Sequence, residues 1–284
     1  VGGMVSAMFV LLVLGDVSAE NYERIRWVGP WAAFFFFVAA LPTFIWVREP
    51  GVAASWQPAG GYLRAGIAQV TSTLTHMEAH RDLAVLMVSV FFAMSGINII
   101  IAYSFIYGSQ VIGWDEQVRT LMFVIVQITA AAGALGFGLL QDRIGAVRTY
   151  RITLVLWMAA IALIWGTPLI VDGLARFAGI HWQAQYVFLV VGTVAGMSLG
   201  SCQSATRTLV GLFSPLARTA EFFGFWGLSM RLASVFGLLA IGLLQALFGL
   251  HMAILFCLLL FAIAWQVAAR IDEARGRLAA EAVS

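Results

Sequence analysis

The sequence predicts an all-α, polytopic membrane helix bundle, and its composition and patterning give the reasons. Of the 284 residues, 62% are hydrophobic and only 11% are charged, whereas a soluble domain carries about 25% charged residues. The mean hydropathy is +0.93. The apolar residues form charge-free runs near the roughly 20 residues that one membrane helix needs, too continuous for a β-barrel strand. Because only helices and closed barrels satisfy the whole backbone in lipid, we predict helices.

Eight apolar segments follow one another along the chain, at residues 1–15, 27–47, 83–108, 120–140, 153–171, 184–205, 222–247 and 252–268. The first is short for a span, and it lacks the basic n-region that would indicate a cleavable signal peptide. Each of the others approaches or exceeds the length that a span requires.

The long connection at residues 48–82 is the predicted boundary between two bundles. It begins with the turn-rich REPGVAASWQPAGGY, and the LRAGIAQVTSTLTHMEAHRD that follows has the character of a surface helix. We therefore predict two helices at residues 1–47, a cytoplasmic loop at 48–82, a six-helix bundle at 83–268 and a cytoplasmic tail at 269–284.

The arginines orient the predicted spans. Alternate connections hold eleven arginines in one set and four in the other, with one more, Arg231, inside a span. The richer set comprises Arg48, Arg64, Arg81, Arg143, Arg148, Arg151, Arg207, Arg218, Arg270, Arg275 and Arg277. By the positive-inside rule this set is cytoplasmic, and with it the C-terminus. The chain has no lysine and is rich in alanine, a weak sign of a GC-rich bacterial genome, so the predicted location is the bacterial cytoplasmic (inner) membrane.

The stretch GLLQDRIGAVRTYR, residues 138–151, concentrates charge between two apolar runs. Gly145 permits a tight turn, and Asp142 can accept hydrogen bonds from a helix N-terminus, where the dipole favours an anion. Arg143, Arg148 and Arg151 hold the turn on the cytoplasmic side and can pair with carboxylates or lipid phosphates. From charge alone, an ordinary positive-inside loop explains the stretch equally well.

The spacing of these residues is more specific than their charge. Gly138, Asp142, Arg143, Gly145 and Arg148 form a pattern that resembles the loop signature of the major facilitator superfamily. In that family the signature is a conformational latch on the cytoplasmic face. Because four predicted spans follow, this copy looks like the one between the eighth and ninth helices. The resemblance implies that Asp142 caps a neighbouring helix.

A second stretch, residues 200–231, resembles the vacuole effluxer-like branch of that superfamily, the autophagy-related permeases and their bacterial relatives. The matching positions are Gly200, Gln203, Thr206, Arg207, Pro215, Glu221, Phe222, Phe223, Gly224, Phe225 and Arg231. LPTFIWVREP and SGINIIIAYSFIYG look like the end of that family's sixth helix and its seventh, with Ser95 where the family usually has Asp. The resemblance covers helices five to twelve of a twelve-helix fold. We therefore expect this chain to pack against the four missing helices or against a partner subunit that takes their place.

Burial of polar groups inside the predicted spans costs free energy, so these groups usually face a cavity or another helix. The candidates for the substrate pathway are Ser95, Asn98, Tyr103, Gln127, Gln203 and Arg231. On the sixth segment, Gln203 and Arg207 share a face of about 80° with three glycines, at 192, 196 and 200. In one interpretation, this face lines a cavity, and its cytoplasmic end binds an anionic group or latches the gate. In the other, the face packs tightly against another helix, and the Arg207 side chain extends to the membrane interface. For the other polar side chains, an interhelical hydrogen bond is the alternative.

Arg231 is the most informative of these residues. Burial of an unpaired guanidinium inside a span costs about 2.5–3.5 kcal/mol. Gly224, Gly227 and Ser234 share its side of the helix, so that face is small and polar. We predict a cavity or a carboxylate partner there, with snorkelling as the alternative.

Other chemistries find little support in the sequence. Cys202 and Cys257 lie in apolar runs and read as buried thiols, while His76 and His80 read as residues of a wet loop. We predict no metal, no cofactor, no nucleic-acid partner and no enzymatic activity, because the sequence shows no ligand spacing, phosphate loop, catalytic order or basic tract. No predicted span contains Asp or Glu, so a coupling carboxylate would lie at an edge, as Asp142 and Glu221 do.

The sequence therefore predicts a secondary transporter that works by alternating access around a site at the bilayer midplane. Arg207 and Glu221 join the hinge residues as gating candidates. The resemblance implies a small solute, an amino acid or another small organic molecule. The alternative is a non-transporting membrane scaffold or assembly factor that has kept the fold, and a channel is disfavoured because no charged or carbonyl filter is evident.

Overall fold

The computed structural model describes residues 28–47, 80–179 and 182–282. All regular structure within these ranges is helical, and seven of the helices there are long and apolar enough to cross a membrane. The predicted fold class is confirmed. The first predicted segment, residues 1–15, and the connection at 48–79 lie outside the described residues.

Helix α1, Val28–Trp46, belongs to the first of two compact units, residues 1–74. Its side chains are apolar and largely exposed, with Phe36 at 76% and Phe44 at 83%. An apolar helix that is exposed all round suits a lipid or protein environment rather than water. The predicted segment at 27–47 is confirmed to within one residue at each end.

The second unit, residues 75–284, holds the remaining helices. They are α2 (Arg81–Tyr107), α3 (Glu116–Ile144), α4 (Ala146–Ala178), α5 (Ala184–Phe213), α6 (Thr219–Phe248), α7 (Leu250–Ala253), α8 (Phe256–Ala268) and α9 (Glu273–Glu281). Helix α2 continues as a π-helical turn, Gly108–Ile112, and α7 and α8 together have the length of one span. The division of the chain between two bundles stays a prediction.

The helices of this unit pack in the order α3, α5, α4, α8, α2, α6. Trp157 of α4 stacks on Phe261 of α8, with ring centroids 5.3 Å apart. Beside them, the Ser89 hydroxyl of α2 lies 2.9 Å from the Tyr150 hydroxyl of α4 and donates to the Ala264 carbonyl oxygen of α8 at 2.8 Å. This buried polar contact ties three helices together at the centre of the unit.

Glycines set the distance between α3 and α5. A Cβ atom on Gly196 would lie 2.8 Å from the backbone oxygen of Val126, and one on Gly133 would lie 2.9 Å from the Cα atom of Met197. Real Cβ atoms do not approach so closely, so only glycine allows these backbones to meet. Gly200 meets the backbone of α3 at Ala130 in the same way, while Gly192 faces the Met122 side chain. The structure therefore supports the packing interpretation of the glycine face.

The predicted tail contains a helix that the sequence analysis missed. Helix α9 buries Gly276 and Ala280, and it packs against α2 and α5. Its N-cap residue is Asp272, whose carboxylate accepts a hydrogen bond from the Arg275 backbone N–H at 3.0 Å. An N-cap aspartate followed by a glutamate in the first turn is a local signal that predicts such a helix.

Candidate functional site

One end of the second unit gathers most of its charged contacts, and we call it the hinge end. It comprises the start of α2, the α3–α4 turn, the end of α5, the start of α6, and α9. Gly145 makes the turn with φ 93° and ψ 156°, a conformation that other residues rarely adopt. The predicted role of Gly145 in a tight turn thus agrees with its geometry.

The N-terminus of α4 is capped by a carboxylate from α9. The Val147 backbone N–H donates to the Glu273 Oε2 atom at 3.0 Å, and the other Glu273 oxygen pairs with Arg277 at 2.6 Å. A carboxylate here compensates the helix dipole. Asp142, by contrast, is exposed, and no donor to it is found among the described residues. Its capping of another helix stays a prediction.

A second contact fastens α9 to α2. The Arg275 guanidinium donates twice to Asp82, at 2.6 and 2.7 Å, and the Asp272 backbone N–H adds a third hydrogen bond at 2.8 Å. The Asp82 side chain is only 4% exposed. Three hydrogen bonds thus satisfy this buried carboxylate at the hinge end. Sequence reasoning missed it, because the partners are about 190 residues apart.

The expectation that His80 lies in a wet loop is wrong. His80 is 7% exposed, and its ring meets Phe222 of α6 edge to face at 5.2 Å. Burial lowers the pKa of His80, the charge of Arg218 lowers it further, and Glu221 opposes both effects. The apolar neighbour arrives from a distant part of the sequence, so the local polarity around His80 misled the prediction. His76 lies outside the described residues.

Two of the predicted gating residues make contacts at the start of α6 and the end of α5. Glu221 accepts two hydrogen bonds from Arg218, both at 2.9 Å. The exposed Arg207 guanidinium lies 5.6 Å from the ring centroid of Trp226, which links α5 to α6. Arg143 and Arg148 are exposed at the turn itself. Gating by any of these residues stays a prediction.

A cavity of about 220 Å³ lies between α2, α3, α4 and α5. Its lining is almost wholly apolar, with Gln127 and Ser104 as exceptions, and includes the large rings of Phe105, Trp114, Phe123, Trp157 and Phe188. The indole N–H groups of Trp114 and Trp157 are buried and have no hydrogen-bond partner within the described residues. Concave apolar spaces with a few polar groups are the usual form of small-molecule sites.

Gln127 is the only predicted pathway residue that lines this cavity. Ser95 is fully buried, and its hydroxyl donates to the Phe91 carbonyl oxygen of its own helix at 2.8 Å. The Asn98 amide donates in the same way to Met94, also at 2.8 Å. These bonds satisfy one donor of each side chain within α2.

The other pathway candidates lie elsewhere on α2, α5 and α6. Tyr103 is half-buried, with its phenol oxygen 4.0 Å from where a Cβ atom on Gly242 of α6 would lie. Gln203 is half-buried on α5, and Arg231 is exposed on α6. Within the described residues, no carboxylate lies at ion-pair distance from Arg231, so its predicted partner stays a prediction.

The seven apolar helices, the close-packed glycines and the charged end together define a multi-pass membrane protein with a facilitator-like helix bundle. Residues 1–281 match the family described as vacuole effluxer Atg22-like, and the chain belongs to this family. The resemblance inferred from the motifs is thereby confirmed.

Curated relatives come from both fungi and bacteria. The chain is 19% identical to autophagy-related protein 22-2 of Aspergillus clavatus, over 88% of this chain and 42% of the relative. It is 23% identical to the uncharacterized MFS-type transporter YxiO of Bacillus subtilis, over 71% of this chain and 44% of the relative. It is 21% identical to autophagy-related protein 22 of Kluyveromyces lactis, over 67% and 38%. The chain thus spans less than half the length of these relatives.

Proposed function

We propose that this protein is a secondary active transporter of a small solute that works by alternating access. The family and the relative named as an MFS-type transporter support the class. The observation that carries the proposal is the cavity of about 220 Å³ between four helices of the second unit. A scaffold would gain nothing from leaving this space unfilled, since voids in a packed interior are destabilising.

The lining of the cavity supports a small organic solute with an apolar body. Aromatic and aliphatic side chains would surround that body, and Gln127 offers both a donor and an acceptor. Trp114 and Trp157 add aromatic ring surface to the same lining. A solute that bonds to the Gln127 amide N–H would present at least one hydrogen-bond acceptor. Amino acids with apolar side chains meet this description, as do other small carboxylic acids.

The contacts at the hinge end support a gate at that end. Arg207 joins α5 to α6 through its contact with Trp226, and Glu221 pairs with Arg218 at the start of α6. Asp142, Arg143 and Arg148 remain exposed in the turn and are free to meet another segment in one of two states. We assign Asp142 the role of the latch and Arg231 the role of a pathway cation.

We place the protein in the cytoplasmic membrane of a bacterium, with its C-terminus in the cytoplasm. The arginine distribution supports this orientation. The Bacillus subtilis relative supports a bacterial setting, while the fungal relatives and the vacuolar description of the family show that other membranes host the same family.

Binding to the cavity is tested by thermal unfolding of the purified, full-length protein with and without each of the twenty amino acids and a set of small carboxylic acids. We expect one or more solutes to raise the unfolding temperature in a saturable manner, since a ligand that binds only the folded state stabilises it. Gln127→Leu should reduce this shift. Gln245→Leu, a matched change on α6 away from the cavity, should leave it intact. Equal shifts in both variants would remove the cavity from the account.

A further inference from the structure

A groove at the hinge end is separate from the cavity that we propose for the solute. Its volume is about 570 Å³, and it is lined by Ile144, Arg148, Arg151, Ile152, Val155 and Trp265. It shares no lining residue with the cavity. Helices α4 and α8 form its walls, and the end of α3 contributes Ile144.

The groove is charged at one end and apolar at the other. Arg148, Arg151, Ile152 and Val155 are spaced so that they share one face of α4. Arg148 lies next to the turn, and Val155 lies about 10 Å further along the helix, at 1.5 Å per residue. Ile152 and Val155 are 42% and 48% exposed. A molecule in this groove would therefore meet charge at the turn and apolar surface along the span.

Arg151 is held in place, and no carboxylate neutralises either arginine of the groove within the described residues. The Arg151 guanidinium lies 4.6 Å from the ring centroid of Trp265, a cation–π contact that fixes its position. Its Nε–H is buried and has no acceptor among the described residues. No ion pair to Arg148 or Arg151 is found there either, and Glu273, the carboxylate at the same turn, is bonded to Val147 and Arg277.

A buried donor without an acceptor is costly, and guanidinium groups match phosphate oxygens in geometry. We propose that the groove binds an anionic phospholipid, with its phosphate on Arg148 and Arg151 and an acyl chain along Ile152 and Val155. The apolar half of the groove favours a lipid over a soluble phosphate, because an acyl chain packs along Ile152 and Val155 and a free phosphate does not.

The charge of the groove also selects among lipids. Two guanidinium groups line it and no carboxylate does, so nothing there would pair with the ammonium of a choline or ethanolamine headgroup. A headgroup without an amine, such as that of phosphatidylglycerol, brings a phosphate and no opposing cation. We therefore expect the groove to prefer phosphatidylglycerol to phosphatidylcholine.

Tryptophan quenching tests the site in the full-length protein reconstituted into phosphatidylcholine vesicles. Phosphatidylglycerol with brominated acyl chains is added at increasing fractions, and the quenching of Trp265 is taken as the difference between wild type and Trp265→Phe. We expect the Trp265 quenching to saturate at a low fraction of brominated phosphatidylglycerol. The same quenching by brominated phosphatidylcholine should require at least a tenfold higher lipid fraction. Arg148→Gln should raise the fraction for half-saturation several-fold, and Arg148→Gln with Arg151→Gln should remove the preference.

The control removes equal charge from the same end of the unit. Arg143→Gln with Arg270→Gln changes two exposed arginines outside the groove, and it should leave the preference intact. If this control lost the preference for phosphatidylglycerol to the same extent, the general positive charge of the surface, and not the groove, would explain the preference. Competition by free glycerol phosphate would indicate a soluble ligand instead. If neither lipid quenched Trp265, another protein segment would cover the groove. Any one of these three results would overturn the proposal.

Discussion

Removal of the Ser89 hydroxyl should weaken the contact between the helices that form two walls of the cavity. Ser89 is fully buried, and its hydroxyl contacts the Tyr150 hydroxyl and the Ala264 carbonyl oxygen. A hydrogen bond between membrane helices contributes about 0.6 kcal/mol on average and about 1.7 kcal/mol at most. Ser89→Ala loses two such bonds, so we expect the free energy of unfolding to fall by about 1–3 kcal/mol.

The assay is reversible unfolding of the purified protein in mixed micelles with increasing SDS, followed by circular dichroism. Ser198→Ala is the matched control, since Ser198 is equally buried but its hydroxyl bonds only Val194 of its own helix. A bond within the helix survives helix separation, so this variant should lose less than about 0.5 kcal/mol. Tyr150→Phe combined with Ser89→Ala should lose less than the sum of the single variants.

Equal losses in Ser89→Ala and Ser198→Ala would contradict this prediction, because burial of a hydroxyl, rather than its interhelical partners, would then set the loss of stability. Additive losses in the double variant would remove the Ser89–Tyr150 bond from the account. Either result would leave apolar packing, such as that of Trp157 on Phe261, as the main tie between α2, α4 and α8.

The remaining predictions concern the hinge end and the glycine contact. Asp82→Asn should speed hydrogen exchange of the α9 amides at least fivefold by removing the charged partner of Arg275, while Arg277→Gln, which breaks an exposed pair, should change it less than threefold. Because burial lowers the pKa of His80, the unfolded state binds the proton more readily, and the unfolding temperature should fall as the pH drops through and below about 6.5. Gly196→Val should separate α3 from α5 and lower the unfolding temperature by several degrees.

Each of these has a result that would contradict it. Equal exchange rates of the α9 amides in Asp82→Asn and Arg277→Gln would mean that the Asp82 contact does not hold α9 in place. A pH dependence unchanged by His80→Phe would mean that a titratable group other than His80 causes it. A Gly196→Val protein as stable as Gly136→Val, whose position is open, would show that α3 and α5 can move apart at little cost.

The sequence predicts the helices well, because apolar runs report directly on burial in lipid. It predicts their ends less well. Helix α4 runs for 33 residues, well beyond the apolar run at 153–171, since the polar residues at both ends still form helical hydrogen bonds. The turn at Gly145 and the glycine face of α5 were predictable, because the steric demand lies in the residue itself.

The contacts of the candidate site were less predictable because they join residues far apart in the sequence. Nothing near Asp82 indicates Arg275, and nothing near Val147 indicates Glu273. The polarity of a span residue also does not tell which way it faces. Gln127 lines the cavity, while Ser95 and Asn98 bond to their own helix.

We propose that this protein carries a small solute across the membrane, and a flux measurement tests this proposal. The full-length protein in sealed vesicles is loaded with the solute that stabilises it most, and exchange of labelled solute is followed over time. We expect saturable exchange that falls at least tenfold in Gln127→Leu and stays near wild type in Gln245→Leu. Folded protein that binds the solute but shows no saturable exchange would contradict the claim and favour a scaffold.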